Sequence, residues 1–308
     1  MLDHAIEPVV SLGKPMVPSW ACELAPCVAE SRVLALPGGG GAGFEVSRGD
    51  DAAMVTAVIP CAAALSAEGL RGAVTEVFAA VLGGLRESGF AYPVRMWNFV
   101  PGIHGRMGEG MDRYRVFNQG RFDAFSRWFA GPAAFARVLP AASAVGHRGE
   151  HLVVCALGLR APGVPVENPR QTPAFGYSPA HGPRPPCFAR ATVAPLPGGT
   201  RLLVSGTASI RGEDSVHAGS LPAQVDETFT NIERLLASAE GAERFAVSGV
   251  ESARVYFPRG GDRAWLASAV SARLPVTASV EFFPALVCRE ELLVEIEAVV
   301  APVGDGRG

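Results

Sequence analysis

Residues 66–89 read S-A-E-G-L-R-G-A-V-T-E-V-F-A-A-V-L-G-G-L-R-E-S-G, and residues 220–241 read S-L-P-A-Q-V-D-E-T-F-T-N-I-E-R-L-L-A-S-A-E-G. In the first stretch Leu70, Val74, Val77, Phe78, Val81, Leu82 and Leu85 recur three and four residues apart. That spacing lays one apolar stripe along a helix that opens after Ser66 and stops near Gly89. In the second, Ser220 is placed as N-cap and Pro222 in the first turn. Val225, Phe229, Ile232, Leu235 and Leu236 form the stripe, and Gly241 marks the end.

Working outward from each helix gives the same order of elements. Strand-like stretches at 42–47 and 53–60 precede the first helix. After it come a strand at 95–99, a shorter helix near 120–130, and strands at 139–145 and 152–159. Around the second helix the series is 187–195 and 202–210, then 254–257, a helix at 262–274, and strands at 276–283 and 292–300. Strand-strand-helix-strand-helix-strand-strand, read twice, predicts an α+β fold of two similar halves, residues 1–155 and 156–308, each a sheet with helices on one face.

The 308 residues are 48% hydrophobic and 19% charged, a globular composition. A net charge of −3 excludes a partner held by wholesale phosphate neutralisation, so no nucleic acid is expected. Gly, Pro or Arg interrupts each apolar run too early for a membrane span, and the opening Met-Leu-Asp-His lacks the basic and apolar regions of an export signal. A cytoplasmic protein is expected. The six cysteines form no C-x-x-C pair, and the six histidines show no ligand spacing, so no metal is expected. Arg outnumbers Lys overwhelmingly, with Lys14 alone, as a GC-rich genome would produce; only Arg position carries information.

Three clusters carry residue types suited to chemistry. Trp97-Asn98-Phe99-Val100-Pro101-Gly102-Ile103, followed by Arg113-Tyr114-Arg115-Val116-Phe117-Asn118-Gln119-Gly120-Arg121, reads as a loop at a strand end, either solvated or anion-binding. The proline-rich stretch 161–186 cannot be helical, yet it carries Asn168, Arg170, Gln171, Tyr177 and Arg184, which suits an ordered loop lining a site. Behind it, Arg190 lies in the apolar run C-F-A-R-A-T-V, where a guanidinium needs a carboxylate from the protein or from a ligand. In the last strand, L-L-V-E-I-E-A-V-V, alternation puts Glu295 and Glu297 on one face. Facing a cleft, such a carboxyl would be a general acid; facing water, both would be ordinary surface residues.

Between about residues 95 and 300 the chain resembles the chorismatase family. The resemblance is carried by W-N-F-V-P-G-I, R-Y-R-V-F-N-Q-G-R, P-A-A-S-A-V-G, P-V-E-N-P-R-Q-T-P-A-F-G-Y, G-P-R-P-P-C-F-A-R-A, S-G-T-A-S-I-R-G-E-D-S-V-H, E-T-F-T-N-I and C-R-E-E-L-L-V-E-I-E-A-V, in that order. The ending V-E-I-E-A-V is also similar to that of the reactive-intermediate deaminases. The resemblance implies a monomeric pseudo-dimer of deaminase-like (chorismate-mutase-like) halves, with no cofactor. It also implies cleavage of the enolpyruvyl ether of chorismate, with Glu295 as catalytic acid. Tyr114, Arg121, Tyr177, Arg190 and Arg184 would hold the substrate. Leu274-Pro275-Val276-Thr277 lacks the Arg that deaminases carry there, which argues against deaminase activity. Cys288 resembles members that form a hydroxybenzoate, whereas Ala208, in the G-T-A-S stretch 206–209, resembles those that hydrolyse; 3-hydroxybenzoate is the expected product.

Overall fold

The computed structural model describes residues 16–37, 39–108, 110–239 and 244–304. Six strands form the first sheet: Cys27–Ala35 (β1), Gly41–Arg48 (β2), Ala52–Ile59 (β3), Tyr92–Pro101 (β4), Ala141–His147 (β5) and Leu152–Leu159 (β6). The second sheet holds Val164–Val166 (β7), Ala191–Leu196 (β8), Gly199–Ala208 (β9), Arg244–Phe257 (β10), Ser279–Pro284 (β11) and Glu295–Val303 (β12). Their spatial orders are β1-β2-β3-β6-β4-β5 and β7-β8-β9-β12-β10-β11, the same permutation twice. Among the described residues, the parallel neighbours in each sheet are the two strands joined by a crossover helix, β4/β5 and β10/β11.

Ala67–Glu87 (α1) and Leu221–Ser238 (α3) are the two helices the apolar stripes predict. Ser66 caps α1 by accepting from the Gly69 N–H at 3.1 Å. Ser220 makes no side-chain cap; its carbonyl starts α3 by accepting from the Gln224 N–H, and Gly241 lies outside the described residues. Arg113–Trp128 (α2) and Arg263–Ser271 (α4) supply the crossovers. The expected α+β order of elements thus appears in both halves, with one addition each. Neither β1, exposed along nearly its whole length, nor the three-residue β7 carries a pattern that sequence reading could detect.

Strand alternation explains the layers. Met96 and Val100 of β4 pack with Phe78 of α1 and Phe117 of α2, while Trp97 and Phe99 point the other way. In the second sheet Ile296, Ala298 and Val300 meet α3, whereas Tyr256 and Val299 join Trp97 and Phe99 in a core shared by the two sheets. The sheets therefore lie face to face with helices outside. The face of β12 that bears Glu295 and Glu297 is turned toward the first sheet, away from water. The chain passes between sheets at 160–163, just after β6, the strand that contains residue 155.

Candidate active site

Glu297 shows what the inter-sheet layer demands of a carboxylate. It is 4% exposed, and its oxygens accept from Arg95 Nη2 (2.6 Å), Trp97 Nε1 (2.9 Å), Ser143 Oγ (2.6 Å) and the Tyr256 hydroxyl (3.0 Å). These four donors come from three strands, β4, β5 and β10, and tie the two halves together. A carboxylate so solvated by the protein is a structural ion.

Glu295, two residues earlier on the same face, is equally buried and has a different environment. It borders a cavity of about 470 Å³ lined by Tyr114, Arg121, Ser143, Tyr177, Arg190, Gly206, Ala208 and Cys288, together with His104 and Arg289. Burial pushes its carboxyl up to about 8, the Glu297 charge adds to the rise, and Arg95 opposes it. The group is therefore a protonated acid at neutral pH. Gly206 makes room for it: a Cβ there would lie 1.9 Å from Glu295 Oε1 and 2.6 Å from its Cδ.

The stretch 113–121, expected as a loop, is instead the first half of α2. Asp112 caps it, its carboxylate accepting from the Arg115 N–H at 2.8 Å. Tyr114, Asn118 and Arg121, four and three residues apart, share one face, and Gly120 on another face lets α2 approach Val74 and the Arg71 carbonyl of α1 closely. With several faces buried, the helix shows no simple apolar stripe. Arg121 is 1% exposed; its Nη2 donates to Asn118 Oδ1 at 2.8 Å, and its Nε has no hydrogen-bond partner among the described residues.

Arg190 matches it from the opposite wall. Its Nη2 donates to the Thr172 carbonyl and to the Tyr177 hydroxyl, each at 2.8 Å, and its Nε likewise has no hydrogen-bond partner among the described residues. Phe188 stacks near both guanidinium groups, 5.9 Å from Arg121 and 5.2 Å from Arg190. Two buried cations thus share one ring and one cavity, and their hydrogen bonds go to neutral acceptors. That is the arrangement of a site built for an anionic ligand.

The stretch 161–186 is an ordered wall. Asn168 Nδ2 donates to the Asn231 carbonyl (2.9 Å), Arg170 pairs with Glu227, and Gln171 Nε2 donates to the Ile210 carbonyl (3.2 Å). These three residues anchor the segment to α3 and to the end of the second sheet, and Tyr177 reaches the cavity. Arg184 does not: it is exposed, with its guanidinium 4.8 Å from the Phe122 ring, and the cavity lining does not include it. The proline-rich turn carries Arg184 outward, apart from the other residues expected to hold the substrate.

Cys288 and Ala208 both line the cavity. Burial, reinforced by Glu295, raises the Cys288 thiol to about 12, so it is a neutral thiol. Burial also raises Tyr114, with Cys288 adding to the effect, which keeps its hydroxyl a donor. Sequence reading missed Ser143, His104 and Arg289. Ser143 links Glu297 to the Gly206 N–H, which donates to its Oγ at 3.0 Å. His104 Nε2 contacts the Val287 carbonyl at 2.8 Å, and Arg289 approaches the Tyr177 ring at 5.7 Å. For Arg289 the available signal was adjacency to Cys288, and for Ser143 its place in P-A-A-S-A-V-G; His104 is brought in by folding alone. Among the described residues no helix is long and apolar enough to cross a membrane.

Residues 39–158 match the family model described as chorismatase FkbO/Hyg5-like, N-terminal. A 3-hydroxybenzoate synthase of Streptomyces hygroscopicus is 36% identical over 226 residues, which are 70% of this chain and 65% of that protein. A chorismatase of the same species is 35% identical over 223 residues, 70% of this chain and 63% of that protein. The chain thus spans a little under two thirds of the length of these curated relatives. The crystal structure of a chorismatase superposes with a TM-score of 0.74 at 29% identity, covering 88% of this chain and 79% of that one. The chain is thus similar to chorismatases in sequence over 70% of its length and in fold over 88% of it.

Proposed function

We propose that this protein cleaves the enolpyruvyl ether of chorismate, releasing pyruvate and 3-hydroxybenzoate. The observation that carries the reading is a protonated, buried Glu295 sharing one cavity with two buried arginines whose hydrogen bonds go to neutral acceptors. Chorismate carries two carboxylates, which suit Arg121 and Arg190, while Tyr114 and Tyr177 offer hydroxyl groups to the ring side. Glu295 gives its proton to the terminal methylene carbon of the enol ether, leaving an oxocarbenium ion. Proton transfer to carbon is slow, and a positioned general acid is typically worth about 10²–10⁴-fold. The neighbouring ring hydroxyl then displaces pyruvate from the ring carbon, and the epoxide so formed opens with loss of a ring proton to the hydroxybenzoate. Atoms balance without water. The Glu295 carboxylate left after the first step is the base nearest to recover a proton.

Cys288 supports this outcome by its place beside Glu295. Ala208 favours a second reading, in which water captures the oxocarbenium ion and the hemiketal collapses to pyruvate and a dihydroxycyclohexadiene carboxylate. No step in either route requires a cofactor, and the paired halves suit a monomer acting in the cytoplasm. Incubation with chorismate, a pyruvate assay and product mass test the proposal together. Hydroxybenzoate is lighter than the dihydrodiol by one water. Chorismate bound without pyruvate release would instead mark a non-catalytic carboxylate-binding protein.

A further inference from the structure

Arg190 poses a problem that the substrate alone does not solve. Before any ligand arrives, a buried guanidinium without a counter-charge costs several kcal/mol. The strand register points to a counter-charge. The ladder of β7 and β8 ends with Val166 opposite Ala191, so Glu167 and Arg190 are the residues that flank this last antiparallel pair. Both carboxyl oxygens of Glu167 are buried and make no hydrogen bond among the described residues. A structural carboxylate would be saturated with donors, as Glu297 is. Glu167 instead has Arg190 as its charged neighbour.

We propose that Glu167 is a positioning residue acting through Arg190: its anion balances that guanidinium in the empty cavity, and it takes up a proton when a substrate carboxylate docks there. The inference rests on the chorismate reading above. Burial pushes the Glu167 carboxyl up to about 7; the Arg190 guanidinium opposes the rise, as does the Arg190 backbone N–H, which leans toward it without closing a hydrogen bond. The group is therefore poised where one more negative charge beside Arg190 shifts it toward the neutral form. Arg190 is the charged side chain acting on Glu167. Beyond Arg190 lie the Tyr177 hydroxyl, Arg121 across Phe188, and Cys288, which feels Arg190 in turn. His104, His181 and Arg289 line the same cavity farther round.

The sign follows from linkage. A ligand that favours protonated Glu167 binds tightest at low pH and loses affinity as pH rises through about 7. Glu295→Gln protein provides a background that holds chorismate without turning it over and removes the other titrating acid. In that protein the Kd for chorismate should rise about five- to tenfold between pH 6 and pH 8, with roughly half a proton taken up on binding at pH 7. The uptake is read calorimetrically from enthalpies in phosphate and in Tris. Adding Glu167→Gln should flatten the pH dependence, abolish most of the uptake, and leave binding tighter than in the parent at pH 8. A purely structural Glu167 would weaken binding at every pH instead.

Equal pH slopes in the two proteins overturn the coupling while leaving the substrate reading intact. If the double variant does not fold, a parent that takes up no proton at pH 7 overturns it as well. Failure of the folded Glu295→Gln protein to bind chorismate at either pH overturns the substrate reading and this inference with it.

Discussion

Replacing Gly206 by alanine adds one methyl group and should disable the site without disturbing the fold. The added Cβ would sit 1.9 Å from Glu295 Oε1, 2.6 Å from its Cδ and 3.0 Å from Ser143 Oγ. To reach an ordinary contact near 3.4 Å the carboxyl must retreat by about 1.5 Å, and the cavity in front of it has the room. The moving atoms are the far end of a flexible side chain. Alanine in place of glycine in a strand also recovers about 0.5–1 kcal/mol of backbone entropy, so stability should change by less than about 1 kcal/mol. Catalysis is less tolerant: misplacing a reacting group by about 1 Å can cost about 10²-fold. Steady-state pyruvate release from chorismate should therefore fall about 10²-fold or more in kcat, with KM much less affected and the melting temperature nearly unchanged. Turnover within about threefold of the wild type in a normally folded G206A protein would refute the placement of Glu295 as acid against Gly206.

Glu297→Gln should separate structure from chemistry. Leaving Arg95 without its buried counter-ion typically costs about 3–5 kcal/mol, so denaturant midpoints should fall while kcat of the folded fraction stays within about tenfold; loss of turnover with unchanged stability would exchange the roles given to Glu297 and Glu295. Cys288→Ala removes a neutral thiol from the wall beside Glu295, and the product mixture should shift from hydroxybenzoate toward the dihydrodiol at similar total pyruvate. An unchanged product ratio would clear Cys288 of a part in partition. Glu295→Gln should also alter the pH dependence of stability. A carboxyl raised to about 8 contributes stability that is present below its ordinary value of 4.5 and lost, at about 1 kcal/mol per pH unit, as pH rises toward 8. The uncharged variant should therefore gain on the wild type between pH 5 and pH 8 in thermal melts, and parallel curves would contradict the raised pKa.

The parts of this molecule that were legible in the chain are those encoded by local period. Seven apolar residues on one stripe place α1, the Val225–Leu236 stripe places α3, and alternation puts Glu295 and Glu297 on one face. Local period does not say what that face meets. The difference between the two glutamates lies in Arg95, Trp97, Ser143 and Tyr256, whose approach to Glu297 depends on the sheets meeting face to face. Segment 113–121 was misread for a related reason. Buried on several faces at once, with Gly120 against α1 and Tyr114 and Arg121 toward the cavity, α2 keeps polar residues where an amphipathic helix would show apolar ones. Arg184 was grouped with Tyr177 because both lie in the same proline-rich stretch, yet the turns between them leave one at the cavity and the other over Phe122.

The central claim is that Glu295 supplies the proton that starts ether cleavage, and a single-turnover experiment with Glu295→Gln tests it most directly. Enzyme in excess over chorismate is mixed at pH 7, where the wild-type carboxyl is protonated, and pyruvate is followed with time. Glutamine keeps the shape and hydrogen-bonding reach of the acid but has no transferable proton. The account predicts that the variant still binds chorismate and that its rate of pyruvate release falls by at least about 10²-fold. Release at a rate close to the wild type's, from a protein shown to bind chorismate, would contradict it.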